Sequence, residues 1–237
     1  PSVTMRASLE LPGAYSEFCR VGAAEAVRLP DGVNFDEGAL VEPLAVGLNA
    51  VRRANIKEEG TVFIMGAGPV GLSVALWCRF FGARHILISD FSAERTLAAL
   101  NLGATATIDP SRNVDEQILD SVGCFPKIIF DCVGLPGTFQ MAVDHAAPDA
   151  RIIVVGLCMQ SDNFFPAKAL LKELEVCFAY VYCKEDFETV IRLIDDKKID
   201  PSQLISNRVN LHDFPTTFEK QKKYGLDLKV MLKPGLP

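Results

Sequence analysis

The chain has 237 residues, enough for one large domain or for one domain with part of a second. Hydrophobic residues make up 49% and charged residues 23%, which is typical of a globular protein with a sizeable core. The net charge of -6 argues against a nucleic-acid partner, because phosphate binding needs a basic face, and no apolar run has the roughly 18 residues of a membrane span.

Turn-rich sequence opens the chain, and alternating strands and helices fill its middle. Between residues 13 and 50 the pattern predicts short strands at 18–21 and 26–28 and a helix near 35–40. Apolar runs then predict strands at 61–65, 85–90, 104–109, 127–132, 151–155 and 174–180, with helices at 69–81, 92–102, 114–122 and 138–145. Because apolar strands need cover on both faces, the fold class is α/β with a doubly wound parallel sheet.

A second flanking region ends the chain. Its pattern predicts an amphipathic helix at 186–197, a strand at 206–211, a helix at 213–222 and a strand at 228–232. Neither flank is large enough to bury a core alone, so we expect them to meet in one discontinuous domain. The predicted division is residues 1–46 and 184–237 around a doubly wound domain at 47–183.

A Gly-Ala-Gly-Pro-Val-Gly turn at residues 66–71 follows the first apolar strand and opens a helix. Its first glycine permits a tight turn, its second lets the backbone approach a pyrophosphate, and its third allows close helix–strand packing. The helix N-terminus offers unpaired amides to phosphates, and a proline fits the first helical turn. The turn therefore predicts a dinucleotide site formed by Gly66, Gly68, Pro69, Val70 and Gly71.

Asp90 ends the second strand, where its carboxylate can accept hydrogen bonds from the hydroxyls of an adenosine ribose. A carboxylate there repels a 2′-phosphate, which favours NAD over NADP. Arg95 is close enough to soften that preference, but it is also explained as a helix-surface charge. A methyltransferase that uses S-adenosylmethionine is the rival class. It seldom needs the third glycine, and it lacks the split flanking domain.

Further motifs follow one another along the whole chain. They are Gly-Ala-Tyr-Ser-Glu-Phe at 13–18, Leu-Pro-Asp-Gly at 29–32, Val-Glu-Pro-Leu-Ala-Val-Gly at 41–47, Asp-Cys-Val-Gly at 131–134, Val-Gly at 155–156 and Leu-Lys-Val-Met-Leu at 228–232. In this order the sequence resembles the zinc-dependent medium-chain dehydrogenases, in the branch of sorbitol, threonine and secondary-alcohol dehydrogenases. The resemblance implies a Rossmann sheet with a partial, discontinuous GroES-like catalytic domain, of which residues 1–46 are a remnant.

The resemblance also implies roles for individual residues. Glu42 is the acidic residue beside the catalytic zinc, as a ligand or as the holder of a metal-bound water, and its apolar neighbours favour burial over an ordinary helix-flanking carboxylate. The nicotinamide side of the cofactor is lined by Asp131, Cys132, Val133, Gly134, Val155, Gly156 and Leu157. A zinc-free quinone-reductase relative fits the Val-Glu-Pro segment less well.

The sequence departs from the family at the zinc site. The family's other ligands are a cysteine and a Gly-His-Glu motif in an N-terminal lobe, and neither has a counterpart here. No histidine precedes His85, and neither His145 nor His212 has a partner at ligand spacing. A catalytic zinc needs three protein ligands, so we expect zinc only if the missing lobe is present.

With that lobe, the resemblance implies NAD-dependent interconversion of a secondary alcohol or polyol and a ketone by hydride transfer, with zinc as Lewis acid. The alternative is an NAD-binding module without redox activity, truncated or degenerate. Tyr180 and Tyr182 are expected either to line the substrate pocket or to pack at a hinge. Polyols, amino alcohols and simple secondary alcohols all stay open as substrates.

Cysteine usage and the last predicted strand of the sheet bear on compartment and assembly. The seven cysteines include no Cys-x-x-Cys pair, and the first residues contain no apolar core of a secretory signal. We therefore expect a reducing, cytoplasmic compartment and no membrane association. The strand at 174–180 lies at a sheet edge with apolar side chains, which predicts a homodimer or homotetramer.

Overall fold

The computed structural model describes residues 13–24, 26–56, 60–224 and 227–235. The expectation about a secretory signal falls on residues 1–12 and lies outside the described residues. The chain divides into two compact units, a flanking unit of residues 1–41 and 183–237 and a sheet unit of residues 42–182. The units divide after residues 41 and 182, whereas the predicted boundaries fall after residues 46 and 183.

Six parallel strands form the sheet unit in the order β3-β2-β1-β4-β5-β6. The strands are β1 Thr61–Met65, β2 His85–Ser89, β3 Ala106–Ile108, β4 Ile128–Asp131, β5 Arg151–Val154 and β6 Glu175–Phe178. The helices are α2 Pro69–Phe80, α3 Ala93–Asn101, α4 Val114–Val122, α5 Thr138–His145 and α6 Pro166–Leu171. This is the strand order of a doubly wound dinucleotide-binding sheet, so the predicted fold class is confirmed.

Burial explains why these runs become strands. Every residue of β1 and β4 is buried, as parallel strands covered on both faces should be. On α2, Trp77 is fully buried and its indole N–H donates to the Leu44 carbonyl at 2.7 Å. Helix α3 is capped at both ends, since the Ser92 hydroxyl accepts from the Arg95 N–H at 3.3 Å and Gly103, just after the helix, has a φ of 116°.

Helix α1, Phe35–Ala54, is much longer than the predicted helix near 35–40. Asn34 begins it with a capping box, because the Glu37 N–H donates to the Asn34 side chain and the Asn34 N–H donates to the Glu37 carboxylate, both at 2.9 Å. The helix then continues through Pro43, although a proline inside a helix removes a backbone hydrogen bond and usually ends or kinks it. Burial after the proline offsets its lost hydrogen bond: Leu44, Ala45 and Leu48 are fully buried.

The flanking unit contains a small parallel sheet. Its elements are α7 Lys184–Asp195, β7 Ile205–Asn210, α8 Phe214–Tyr224 and β8 Lys229–Lys233, with 3-10 turns at Ser202–Leu204 and Leu211–Asp213. The strand, helix and strand of this segment are as predicted. Strands β7 and β8 pair in parallel, and α8 connects them. The short strands predicted at 18–21 and 26–28 are wrong, because these segments are irregular and no strand among the described residues pairs with them. No described helix is both long and apolar enough to cross a membrane.

Candidate functional site

Four strands of the sheet unit end at the same level, so the residues that follow them lie side by side. Met65, the last residue of β1, pairs with Ser89 of β2 and with Asp131 of β4. Asp131 in turn pairs with Val154, the last residue of β5. Open parallel sheets bind ligands at the carboxyl ends of their strands where the order reverses, and here that point lies between β1 and β4.

The predicted glycine turn joins β1 to α2 at this edge. Gly66 has a φ of 95°, which side chains rarely adopt. A Cβ on Gly71 would collide with the Gly66 carbonyl oxygen, so α2 packs against the turn only with glycine there. A Cβ on Gly68 would meet no heavy atom within 4 Å. The two ends of the turn, Gly66 and Gly71, are therefore packed against each other, while Gly68 between them faces open space.

The open residue of the turn, Gly68, directly precedes helix α2. Pro69 is the first residue of the helix, as predicted. The amides of a first helical turn, here including those of Val70 and Gly71, lack intrahelical acceptors and carry the positive end of the helix dipole. Open space in front of such amides is the arrangement that binds a phosphate or pyrophosphate group.

Asp90 follows β2 and lies against the glycine turn. One carboxylate oxygen accepts the Ala67 N–H at 2.9 Å, and the other accepts the Ser92 N–H at 2.9 Å. Nη1 of Arg95 lies 3.9 Å from the first of these oxygens. An ionised carboxylate has about four acceptor positions, so both oxygens can still accept hydroxyl groups. The structure therefore brings the predicted acidic residue to the predicted turn.

The turns after β4 and β5, residues 132–134 and 155–157, are called the paired turns because their backbones touch. Gly134 has a φ of 72°, and a Cβ on it would overlap the backbone of Gly156 and Leu157. A Cβ on Gly156 would likewise overlap the backbone of Gly134. Two facing glycines are therefore required for this approach. Six of the seven residues that the resemblance places on the nicotinamide side come together here.

Side chains on the paired turns are largely apolar. Val133 is 40% exposed and Leu157 is 69% exposed. Burial raises the pKa of the Cys132 thiol well above its usual range, and the neighbouring Asp131 and Cys78 raise it further. Cys132 is therefore protonated near neutral pH and acts as a small apolar group. The surface suits a flat, weakly polar ring.

Asp131 and Thr138 hold the paired turns in place. The resemblance places Asp131 on the nicotinamide side without this function, and sequence reasoning misses Thr138. Asp131 is only 2% exposed, and its carboxylate accepts hydrogen bonds from the amides of Val133 and Gly134 and from the Thr138 hydroxyl. A carboxylate that ends an otherwise apolar, buried strand is the signal that finds it, because a buried charge needs dedicated donors. Thr138 gives no such signal.

Glu42, the residue predicted beside zinc, lies in α1 and is exposed, so the expectation of burial is wrong. In a helix its apolar sequence neighbours turn toward the core while Glu42 itself faces away. Tyr182 lies near it: burial raises the pKa of this phenol, and the charge of Glu42 raises it further. Tyr180, the other predicted pocket tyrosine, is 67% exposed.

Within the described part of the chain, no group of three or more His, Cys, Asp or Glu side chains is placed to hold a metal ion. A catalytic zinc needs three protein ligands and an open position. The described residues therefore do not fit a zinc site by themselves, although they do fit a dinucleotide.

Comparison with known proteins agrees with this geometry. Residues 69–196 match a family model described as zinc-binding dehydrogenase. Sorbitol dehydrogenase from Homo sapiens is 30% identical over 98% of this chain. The 2R,3R-butanediol dehydrogenase from Bacillus subtilis has a TM-score of 0.80 and 27% identity over 88% of the chain. Galactitol-1-phosphate dehydrogenase from Escherichia coli has a TM-score of 0.77 and 30% identity over 87%.

Fold and comparisons together define the class, a medium-chain dehydrogenase with a Rossmann-type sheet. The chain belongs to the zinc-binding dehydrogenase family, and the resemblance drawn from its motifs is confirmed. It spans 66% of the length of Homo sapiens sorbitol dehydrogenase, 60% of the butanediol dehydrogenase and 62% of the galactitol-1-phosphate dehydrogenase. The chain thus covers less than two thirds of each of these relatives.

Proposed function

We propose that this chain is the NAD-binding part of a dehydrogenase that interconverts a secondary alcohol or polyol and a ketone by hydride transfer. The observation that carries the proposal is the Asp90 carboxylate bound to the Ala67 amide, next to the open Gly68, at one end of the sheet. Membership of the zinc-binding dehydrogenase family supports the reaction class, and the relatives named sorbitol, butanediol and galactitol-1-phosphate dehydrogenase support the substrate class.

Each part of the site then has a task. The first amides of α2 bind the pyrophosphate, Asp90 accepts the hydroxyls of the adenosine ribose, and the paired turns take the nicotinamide ring. When bound, the dinucleotide supplies the carbon that accepts the hydride. The apolar side chains of Val133 and Leu157 exclude water from one side of the ring.

We further propose Glu42 as the residue beside zinc, with other ligands supplied from outside the described residues. Residues 1–46 and 184–237 then belong to the GroES-like catalytic domain of the whole enzyme. No proton or hydride step is assigned to zinc, because the described residues do not complete its site. Tyr182, beside Glu42, is the better placed of the two tyrosines for a substrate pocket.

Calorimetric titration of the chain with NADH tests the cofactor proposal, and the absorbance of NADH formed from NAD with sorbitol or 2,3-butanediol tests turnover. We expect micromolar NADH binding, the usual range for enzyme ligands. Failure of both NADH and ADP-ribose to bind contradicts the proposal. Because the described residues do not complete a zinc site, the turnover assay uses the whole enzyme with zinc supplied. NADH binding without turnover in that assay favours the alternative of an NAD-binding module with no redox activity.

We propose a homodimer or homotetramer assembled through β6. This strand lies at the sheet edge, with Val176 40% exposed and Phe178 70% exposed. We expect sedimentation equilibrium to give a dimer or tetramer, and Val176→Lys to shift it to monomer, because an edge lysine opposes strand pairing. The control is Thr107→Lys, at an exposed residue of the opposite edge strand β3. A monomeric unsubstituted chain contradicts this assembly.

The cytoplasm is the proposed compartment. All seven thiols are free, and disulfides are rare where glutathione and thioredoxin keep thiols reduced. Burial raises the pKa of the Cys78 thiol strongly, so this residue serves as core packing. Fluorescence microscopy of the tagged full-length protein tests the location, and a secreted or organellar signal contradicts it.

A further inference from the structure

The first of the paired turns is held by hydrogen bonds to the side chain of Asp131. One carboxylate oxygen accepts the Val133 N–H at 3.0 Å and the Gly134 N–H at 3.4 Å. The other accepts the Thr138 hydroxyl at 2.8 Å, which ties the turn to the first residue of α5. The carboxylate is almost entirely buried, so these donors replace the water that it loses.

The second of the paired turns is held by hydrogen bonds to the backbone of the same residue. The carbonyl oxygen of Asp131 accepts the Val155 N–H at 2.9 Å and the Gly156 N–H at 2.8 Å. One residue therefore receives hydrogen bonds from two turns that are more than twenty positions apart in the sequence. Since Gly134 and Gly156 also touch, a shift of either turn displaces the other.

We propose that Asp131 is a positioning residue for the nicotinamide end of the dinucleotide. This rests on the proposed function, since it assumes that the paired turns receive that ring. Asp131 does not touch the ring; it holds the two surfaces that do. A flat ring with a carboxamide needs both an ordered apolar face and fixed backbone polar groups, so disorder in either turn weakens its binding. The adenosine and pyrophosphate ends rest on other elements and do not depend on Asp131.

The test compares two ligands that share an ADP-ribose part but differ at the nicotinamide end. The dissociation constants of NADH and ADP-ribose are measured by calorimetry for the unsubstituted chain, Asp131→Ala and Thr138→Val. We expect Asp131→Ala to weaken NADH about tenfold or more, since several hydrogen bonds to a charged group are lost, with ADP-ribose within about twofold. Thr138→Val keeps the volume, removes one donor, and produces the same selective loss to a smaller degree.

A conservative variant and a matched control separate positioning from general stability. Asp131→Asn keeps an oxygen for the two amides, and its NH₂ donates to the Thr138 oxygen, whose single hydroxyl proton then donates to the Leu135 carbonyl, 2.8 Å away. NADH binding is then restored to within about threefold of the unsubstituted chain. Asp109→Asn is the matched control, since this carboxylate follows β3 and accepts hydrogen bonds from Ser111. We expect it to leave the affinities for NADH and ADP-ribose unchanged.

Two results overturn the proposal. The first is that Asp131→Ala and Thr138→Val each weaken NADH and ADP-ribose binding by equal factors, which assigns Asp131 to the fold alone. The second is that both of these variants remain folded by circular dichroism and bind NADH as tightly as the unsubstituted chain. If the unsubstituted chain binds neither ligand, the proposed function itself fails, which is a separate outcome.

Discussion

Gly71→Ala is expected to destabilise the sheet unit by at least about 3 kcal/mol, a large part of the total stability of most domains. The new methyl group would collide with the Gly66 carbonyl oxygen, which is backbone and has no rotamer to move into. Relief requires α2 to move away from β1, and α2 carries fully buried residues such as Leu72, Val74 and Trp77. Urea unfolding followed by circular dichroism measures the loss.

Gly68→Ala is the matched control, since it adds the same methyl group three residues earlier. No heavy atom lies within 4 Å of that Cβ, and the backbone at Gly68 has φ -73° and ψ 179°, which alanine adopts without strain. Stability is therefore unchanged or raised by about 0.4–1 kcal/mol. NADH binding, however, falls at least about tenfold, because the methyl group fills the space left for the pyrophosphate.

The two substitutions together separate the roles of the turn. Loss of stability with Gly71→Ala and loss of binding with Gly68→Ala is the expected pattern. Tight NADH binding by a folded Gly68→Ala chain contradicts the pyrophosphate assignment. A Gly71→Ala chain as stable as the unsubstituted one contradicts the packing argument instead, and the two failures are independent.

Local sequence signals predict most of the sheet unit because its rules are local. An apolar run, a glycine turn and a cap such as Ser92 each act over a few residues, and the observed elements begin and end close to the predicted positions. Helix α1 does not follow from local signals alone. The sequence pattern predicts a helix only near residues 35–40, because the burial that continues the helix past Pro43 depends on residues far away in the chain, including Trp77.

The candidate site divides in the same way. Gly66 and Asp90 are found from the sequence because the strand–turn–helix pattern fixes where each must lie. The function of Asp131 depends on Thr138 reaching back to its carboxylate and on two turns meeting after the chain has passed through α5 and β5. The exposure of Glu42 depends on the phase of a helix whose length the sequence underestimates. Contacts of this kind require the assembled fold.

Asp90→Ser is expected to shift the preference from NADH toward NADPH by about a hundredfold, measured as the ratio of the two dissociation constants. Removal of the carboxylate ends the repulsion of a 2′-phosphate and weakens the hydrogen bonds to the ribose of NADH, which are worth about 1.5–3 kcal/mol to a charged acceptor. It also removes the carboxylate that lies 3.9 Å from Arg95, so that the guanidinium can attract a 2′-phosphate group instead.

Arg95 makes the prediction specific. In the Asp90→Ser background, a second change of Arg95→Ala should remove most of the gain in NADPH affinity and leave NADH affinity nearly as it was, because only the 2′-phosphate needs the guanidinium. Glu94→Gln is the control, since it removes an exposed carboxylate that contacts Ser92 without touching the glycine turn. If Glu94→Gln shifts the ratio as much as Asp90→Ser, net charge rather than the carboxylate on the Ala67 amide sets cofactor choice. If Asp90→Ser leaves the ratio unchanged, Asp90 does not bind the ribose.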